Sequence, residues 1–246
     1  MKVEYYKWHS DNLNRTMELK VYGWYGKPVL IFPCQGGRFY EAEDFSMISS
    51  LRIFINEGKI KIFTIDSVDN ESWCCLSKHP AERGKYHQQY ENYVIKEVVP
   101  FIRKHCNTDY IKLIATGASM GAYHAANFFF KHPYIFDTVI SLSGVYDLRG
   151  FVGEYVDEYV YFNSPLFYLP NLEDEYYLNM YRKNKIIICV GQGAWEDEML
   201  DDTRQLEWIL NYKNIPAWID YWGNDVNHDW PWWKIQLPYF LNCLGY

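Results

Sequence analysis

Short apolar runs recur along the chain and are separated by stretches whose apolar residues are spaced three or four apart. Continuous runs are typical of strands buried on both faces of a sheet, and the wider spacing is typical of helices. The runs that predict strands lie at 28–33, 59–66, 111–115, 136–144, 185–191 and 217–222. Helices are predicted within 43–57, 86–105, 120–131, 201–212 and 232–244. This alternation predicts an α/β fold with a mostly parallel central sheet and helices on both faces.

Two segments depart from this rhythm. Residues 17–22 alternate between polar and apolar side chains, which predicts a half-exposed strand. Residues 146–182 are rich in Tyr, Phe, Asp and Glu, and we interpret them as an aromatic, cap-like insertion. Because 246 residues suit one large α/β domain, we expect a single domain over 1–246.

Composition narrows the range of partners. Aromatic residues make up 19% of the chain, and the net charge is −7 with no basic tract, which argues against nucleic acid as the partner. No apolar run is long enough to cross a bilayer, and residues 1–11 lack the apolar region of a signal peptide. The six cysteines are scattered without C-x-x-C spacing, so we expect reduced thiols in a cytoplasmic protein that makes no membrane contact.

One segment combines a predicted strand, a glycine-rich turn and a predicted helix. Its centre is Gly117-Ala118-Ser119-Met120-Gly121. Gly-x-Ser-x-Gly between a strand and a helix is typical of a nucleophile elbow, in which a strained turn exposes the serine hydroxyl. Ser119 is therefore the predicted nucleophile. The alternative is an ordinary serine in a glycine-rich turn.

A nucleophilic serine needs a base within hydrogen-bond reach and a carboxylate that orients this base. In sheets of this kind the chain order is Ser, then Asp or Glu, then His, each after a strand. The loop after 185–190 carries Glu196, Asp197 and Glu198, and the loop after 217–222 carries His228. His124 lies on the helix of the elbow, where it is not expected to act as the base. The other histidines all precede residue 133 and are expected to be surface or capping residues.

These features resemble the Putative esterase (esterase D-like) family of the α/β-hydrolases, which includes feruloyl esterases, S-formylglutathione hydrolase and mycolyltransferases. The resemblance spans nearly the whole chain and is carried by 32–38, 66–73, 117–121 and 223–233. It implies an α/β-hydrolase fold. It also implies that Ser119 is the nucleophile and His228 the general base.

The resemblance leaves two neighbouring carboxylates as candidates for the acid that orients His228. Feruloyl esterases have a Gly-x-x-Asp pattern at a fixed spacing before an Asn-Ile-like turn, and the same spacing from Ile215 leads back to Asp197. This chain has a longer loop, Gly-Gln-Gly-Ala-Trp-Glu-Asp. We therefore favour Asp197 and keep Glu196 as the alternative acid.

An oxyanion formed at the serine needs two preorganised N–H donors. Met120 follows the nucleophile directly and is expected to supply one of them. The resemblance implies that the second donor lies in the loop Cys34-Gln35-Gly36-Gly37, at Gln35 or Gly36. A plain tight turn is the alternative interpretation of this loop.

Four side chains on loops that follow strands are expected to shape a substrate pocket, with packing of the rim of the sheet as the alternative. They are Glu71, Trp73, Trp195 and Trp230. Loops at the carboxyl ends of strands are where such sheets bind ligands. The aromatic, acidic insertion suits an aromatic, sugar-bearing or neutral acyl group better than a strongly anionic one.

The sequence therefore predicts a serine hydrolase that cleaves a small-molecule carboxylic ester through an acyl-enzyme. An acyltransferase of the same mechanism and a non-catalytic binding module on a hydrolase scaffold are the alternatives. No cofactor and no metal are expected, because the Ser-acid-His chemistry needs neither. The acyl and alcohol parts of the substrate, and whether the protein forms a homo-oligomer, stay open.

Overall fold

Eight strands form one sheet in the computed structural model, which describes residues 1–246. In chain order the strands are Val3–Ser10 (β1), Arg15–Tyr22 (β2), Lys27–Phe32 (β3), Ile60–Ile65 (β4), Leu113–Ala118 (β5), Phe136–Leu142 (β6), Lys185–Val190 (β7) and Trp218–Tyr221 (β8). Their order across the sheet is β1-β2-β4-β3-β5-β6-β7-β8. β2 pairs antiparallel with β1 and with β4, and every other neighbouring pair is parallel. The predicted mostly parallel sheet is confirmed.

Twelve α-helical segments connect or flank the strands. They are Glu41–Asp44 (α1), Met47–Ser50 (α2), Arg52–Asn56 (α3), Pro80–Tyr93 (α4), Val99–His105 (α5), Met120–Lys131 (α6), Arg149–Val152 (α7), Glu158–Tyr161 (α8), Pro165–Tyr168 (α9), Glu175–Lys183 (α10), Asp197–Tyr212 (α11) and Trp230–Cys243 (α12). None of them is both long and apolar enough to span a bilayer.

The sheet carries a separate apolar core on each face. Successive strand residues point to opposite faces, and in β3 Leu30 joins one core while Val29 joins the other. Helices α4 and α6 cover the first face, and α2 and α12 cover the second. Burial on both faces explains why the central strands are apolar along their whole length.

The prediction of a single helix within 43–57 was wrong. The segment forms the three short helices α1, α2 and α3 instead. Ser46 has a φ of 64°, which ends one helix before the next begins. Apolar side chains such as Ile48 and Ile55 are still buried, so the helical spacing persists without one continuous helix.

The helix predicted within 86–105 begins earlier, at Pro80, where the His79 side chain accepts a hydrogen bond from the Ala81 N–H. The kink or break predicted near Pro100 takes the form of a π-helical segment, Val94–Val98, between α4 and α5. Pro100 then lies in the first turn of α5, where the missing N–H is tolerated.

Candidate active site

Ser119 occupies a sharp turn between β5 and α6. Its φ of 56° and ψ of −125° are unusual for a residue with a side chain, and backbone strain of this kind occurs mainly at functional sites. A Cβ at Gly117 would lie 2.4 Å from the backbone carbon of Gly121, and one at Gly121 would lie 2.3 Å from the Phe32 carbonyl oxygen. The two glycines therefore allow the helix to pack this closely, and the turn has the geometry of a nucleophile elbow.

His228 reaches Ser119 from the loop between β8 and α12. Its Nε2 lies 2.9 Å from the Ser119 Oγ. The backbone N–H of His228 donates to the Ala194 carbonyl at 3.0 Å, and the ring meets Trp233 edge-on at 5.0 Å. The imidazole is thus fixed by both the backbone and a neighbouring ring.

The loop of His228 packs directly on the loop that follows β7. Gly193 N–H donates to the Val226 carbonyl at 2.9 Å, and Ala194 N–H donates to Asn227 Oδ1 at 2.8 Å. A Cβ at Gly191 would lie 2.2 Å from the Val226 carbonyl oxygen. The glycines of the loop after β7 are therefore needed for its close approach to the loop of His228.

Glu196, and not Asp197, meets His228. The Nδ1 of His228 lies 3.3 Å from Glu196 Oε2, and Glu196 is only 1% exposed. Asp197 is the exposed first residue of α11 and makes no hydrogen bond to His228. The preference for Asp197 therefore disagrees with this geometry. Trp195 adopts a φ of 68° and turns the chain so that the residue before the helix faces inward.

Ser143 holds the Glu196 carboxylate and is itself held by Trp233, and sequence reasoning missed both. The Ser143 hydroxyl donates to Glu196 Oε1 at 2.6 Å, and the Trp233 Nε1–H donates to the Ser143 Oγ at 3.2 Å. Ser143 directly follows β6, which lies between β5 and β7 in the sheet. The end of that strand therefore lies between the turn of Ser119 and the loop of Glu196. No local sequence pattern indicated this contact.

The loop after β3 leaves one backbone amide without an acceptor. The Cys34 N–H donates to Glu41 Oε2 at 2.7 Å, the Gly36 N–H to Asp69 Oδ2 at 3.1 Å, and the Gly37 N–H to the Cys34 carbonyl at 2.9 Å. The Gln35 N–H has no hydrogen-bond partner. Of the two amides predicted here, Gly36 is therefore engaged and Gln35 is not.

Met120 is the first residue of α6, so its N–H has no acceptor within the helix. Its side chain is buried in an apolar cluster directly after Ser119. The other members of this cluster include Val145, Leu148 and Val152, all from the segment between β6 and α8. Part of the predicted insertion therefore packs next to the helix that follows Ser119.

The four predicted pocket residues differ in their surroundings. Trp73 is fully buried, and its ring lies 5.0 Å from the His87 ring at an interplanar angle of 39°, which agrees with the packing alternative rather than with a pocket wall. Glu71 forms an ion pair with Arg15 at 2.6 Å. Trp195 is 83% exposed beside Glu196.

Trp230 stands at the start of α12, two residues after His228. Its ring stacks on Phe45 at 4.8 Å with an interplanar angle of 7°. Trp195 and Trp230 therefore remain beside the loop of His228. In the loop after β4, by contrast, Glu71 pairs with Arg15 and Trp73 packs against His87.

Two earlier histidines are fully buried, and for His87 this contradicts the expected surface or capping role. His124 is fully buried, and its Nε2 lies 2.8 Å from Asp69 Oδ1. His87 is also fully buried, and burial lowers its pKa well below the usual value. His79 caps the N-terminus of α4 with its side chain, as expected, and His132 lies at the C-terminal cap position of α6.

The eight-stranded sheet, its strand order and a serine at the elbow define the class: the chain has the α/β-hydrolase fold. The family model described as Putative esterase matches residues 10–242. The chain therefore belongs to the Putative esterase family, as the resemblance in the sequence had indicated, and membership supports ester hydrolysis in general. No curated protein sequence matches the chain.

Solved structures of similar fold cover almost the entire chain. A ferulic acid esterase is 17% identical, with a TM-score of 0.77 over 99% of this chain and 97% of its own. An S-formylglutathione hydrolase from Agrobacterium tumefaciens is 13% identical, with a TM-score of 0.76 over 98% and 93%. The fluorophosphonate-binding serine hydrolase FphF of Staphylococcus aureus is 16% identical, with a TM-score of 0.65 over 99% and 98%. These likenesses establish the shared fold.

Proposed function

We propose that the protein is a serine esterase that cleaves a small-molecule carboxylic ester through an acyl-enzyme. The observation that carries the proposal is the continuous set of contacts from Ser119 through His228 to Glu196. Ser119 follows β5, Glu196 follows β7 and His228 follows β8. This is the chain order of serine, acid and histidine expected of the fold. Glu196 replaces Asp197 as the proposed acid.

In the first half of the reaction Ser119 Oγ attacks the ester carbonyl while His228 Nε2 accepts its proton. Glu196 accepts the His228 Nδ1–H, which fixes the tautomer and stabilises the imidazolium. The tetrahedral intermediate then collapses as His228 donates the proton to the departing alcohol. The ester C–O bond breaks, and the acyl group is left on Ser119.

In the second half a water molecule attacks the acyl-enzyme, and His228 again acts as the base. The carboxylic acid leaves as the proton returns to Ser119. In both halves the negative charge on the carbonyl oxygen requires N–H donors. We assign these donors to Met120, at the N-terminus of α6, and to Gln35, whose amide has no other acceptor.

We also propose that Trp195, Trp230 and the cap-like segment 146–182 border the substrate. Trp195 and Trp230 flank the loop of His228, and the segment packs beside Met120. A cleft bordered by aromatic and apolar side chains favours an aromatic or neutral acyl group over a strongly anionic one.

The six cysteines are all free. Free thiols persist most readily in reducing compartments, whereas secreted proteins of oxidising environments use disulfides. This supports a proposed location in the cytoplasm.

Turnover of p-nitrophenyl acetate tests the proposed function. The wild type is expected to release p-nitrophenol, and Ser119→Ala and His228→Ala are each expected to lower kcat at least about 1000-fold. Wild-type turnover that survives both substitutions would overturn the proposal. Product analysis with added alcohols separates hydrolysis from acyl transfer.

A further inference from the structure

One buried carboxylate joins the two elements that carry the proposed oxyanion donors. Asp69 is fully buried; its Oδ2 accepts the Gly36 N–H at 3.1 Å, and its Oδ1 lies 2.8 Å from His124 Nε2. His124 is on α6, about one turn beyond Met120. Asp69 therefore connects the loop of Gln35 to the helix whose first amide belongs to Met120.

We propose that Asp69 and His124 are positioning residues that fix the Gln35 and Met120 amides relative to each other. His124 anchors Asp69 to α6, and Asp69 engages the Gly36 N–H so that the adjacent Gln35 N–H is the one left for the oxyanion. This inference rests on the proposed function, because it presupposes an oxyanion formed at Ser119.

The loop after β4 holds the same stretch at further points. The Ser67 hydroxyl donates to the Gly37 carbonyl at 2.9 Å, and Asp66 accepts the Phe39 N–H at 3.1 Å. Gly36 has a φ of 66°, and a Cβ there would lie 3.0 Å from the Asn70 side chain. Residues 66–70 therefore hold residues 36–39 in place through several contacts, and the contact of Asp69 with Gly36 is the one nearest Gln35.

His124 is itself fixed by its neighbours. Its ring stacks on His87 at 5.5 Å with an interplanar angle of 14°, and both rings are fully buried. Removal of one partner from a buried carboxylate–histidine pair destabilises the folded protein, because the other partner is left without its contact. Asp69 and His124 therefore depend on each other for their positions. Displacement of a catalytic group by about 1 Å costs up to roughly 100-fold in rate, which makes the pair relevant to catalysis.

Kinetics of paired variants test the positioning role, with kcat expressed per active site titrated by a fluorophosphonate. Asp69→Ala frees the Gly36 N–H and is expected to lower kcat roughly 10- to 100-fold, with KM changed less than about threefold. Asp69→Asn keeps an oxygen for the Gly36 N–H and is expected to restore kcat to within about threefold of the wild type. His124→Phe keeps a ring, removes the Nε2–H and is expected to lower kcat about 10-fold.

A matched control lies at the other end of α6. Glu91 Oε1 is 2.8 Å from the Nε2 of His132, which follows that helix, so the contact reproduces the carboxylate–histidine pair away from the reacting centre. Glu91→Ala is expected to lower the free energy of unfolding and leave kcat per titrated site unchanged.

Three results would overturn the positioning role: wild-type kcat in both D69A and His124→Phe, a D69N as slow as D69A, or an equal loss of kcat in E91A. Should D69A fail to fold, D69N and His124→Phe are compared instead. The kcat of His124→Phe is expected to lie well below that of D69N, and equal kcat values would overturn the positioning role. Failure of the proposed function is recognised separately, because the wild type would then resist fluorophosphonate or S119A would retain turnover.

Discussion

At the scale of single residues, the proposed chemistry depends on one buried carboxylate beside one imidazole. Glu196 receives hydrogen bonds from two sides, from Ser143 on Oε1 and from His228 on Oε2. Burial strengthens both contacts, since the local dielectric is low. A carboxylate held in this way orients the imidazole and stabilises its protonated form during the reaction.

Glu196→Gln is expected to lower kcat for p-nitrophenyl acetate by about 1000-fold or more, because an amide favours the wrong tautomer of His228. Asp197→Asn, at the exposed start of α11, is the matched control and is expected to stay within about twofold. Steady-state kinetics of both variants measure the difference. A larger loss in D197N than in E196Q would assign the acid to Asp197.

Ser143→Ala removes the hydroxyl that donates to Glu196 and accepts from the Trp233 indole. A hydrogen bond to a charged group contributes about 1.5–3 kcal/mol, so kcat is expected to fall roughly 10- to 100-fold. Trp233→Phe removes the bond to Ser143 but keeps an aromatic ring beside His228, and is expected to have a smaller effect. An S143A enzyme with unchanged kcat would show that Glu196 needs no such support.

The sequence predicted Ser119 and His228 because each has a local signal: a glycine-flanked turn, and a single late histidine in the last loop. For the acid it favoured Asp197, whereas the structure brings Glu196 to His228. That choice depends on the left-handed conformation of Trp195, which no local pattern indicates. Ser143 and Asp69 were missed because their partners are distant in sequence.

At the scale of elements, close packing of α6 against β3 shapes the elbow. At Gly121 there is no room for a Cβ, which would lie 2.3 Å from the Phe32 carbonyl oxygen and 2.6 Å from that of Pro33. Strands β3 to β7 were predictable from continuous apolar runs, since burial on both faces leaves a clear pattern. The segment of α1, α2 and α3 was not, because breaks such as that at Ser46 leave the helical spacing unchanged.

Gly121→Ala tests this packing. The added Cβ would lie 2.3 Å from the Phe32 carbonyl oxygen, so the free energy of unfolding is expected to fall by about 3 kcal/mol or more. Gly150→Ala is the control, because its Cβ would meet only the flexible carboxylate of Glu198. Urea denaturation measures both. Equal stability of the two variants would contradict the close approach.

At the scale of the whole molecule, buried ionic contacts connect segments that lie far apart in the chain. Glu91 of α4 binds both Lys131 and His132 at the end of α6. Burial opposes its ionisation, but the hydrogen bond from His132 and the charge of Lys131 outweigh this effect and lower the pKa of Glu91 to about 2. The spacing of apolar residues predicted the sheet and the helices that cover it. It carries no information about ion pairs such as those of Glu91.

This contact predicts a pH dependence of stability. The unfolded chain binds the Glu91 proton near pH 4.5 and the folded protein near pH 2, so the stabilisation is complete above about pH 5 and lost as the pH falls through this window. Glu91→Gln is expected to cost roughly 3 kcal/mol at pH 7. The deficit relative to wild type should shrink below pH 4.5. Urea melts at pH 7, 5, 4 and 3 measure it, and a pH-independent deficit would contradict the ion pair.

Fluorophosphonate labelling followed by peptide mapping tests the central claim most directly, because the reagent modifies only an activated serine. We expect one modified peptide in the wild type, with the label on Ser119, and no label in Ser119→Ala. Strongly slowed labelling is expected in His228→Ala, where the base is missing. An unlabelled wild type, or a label that persists in S119A, would contradict the assignment of Ser119 as the nucleophile.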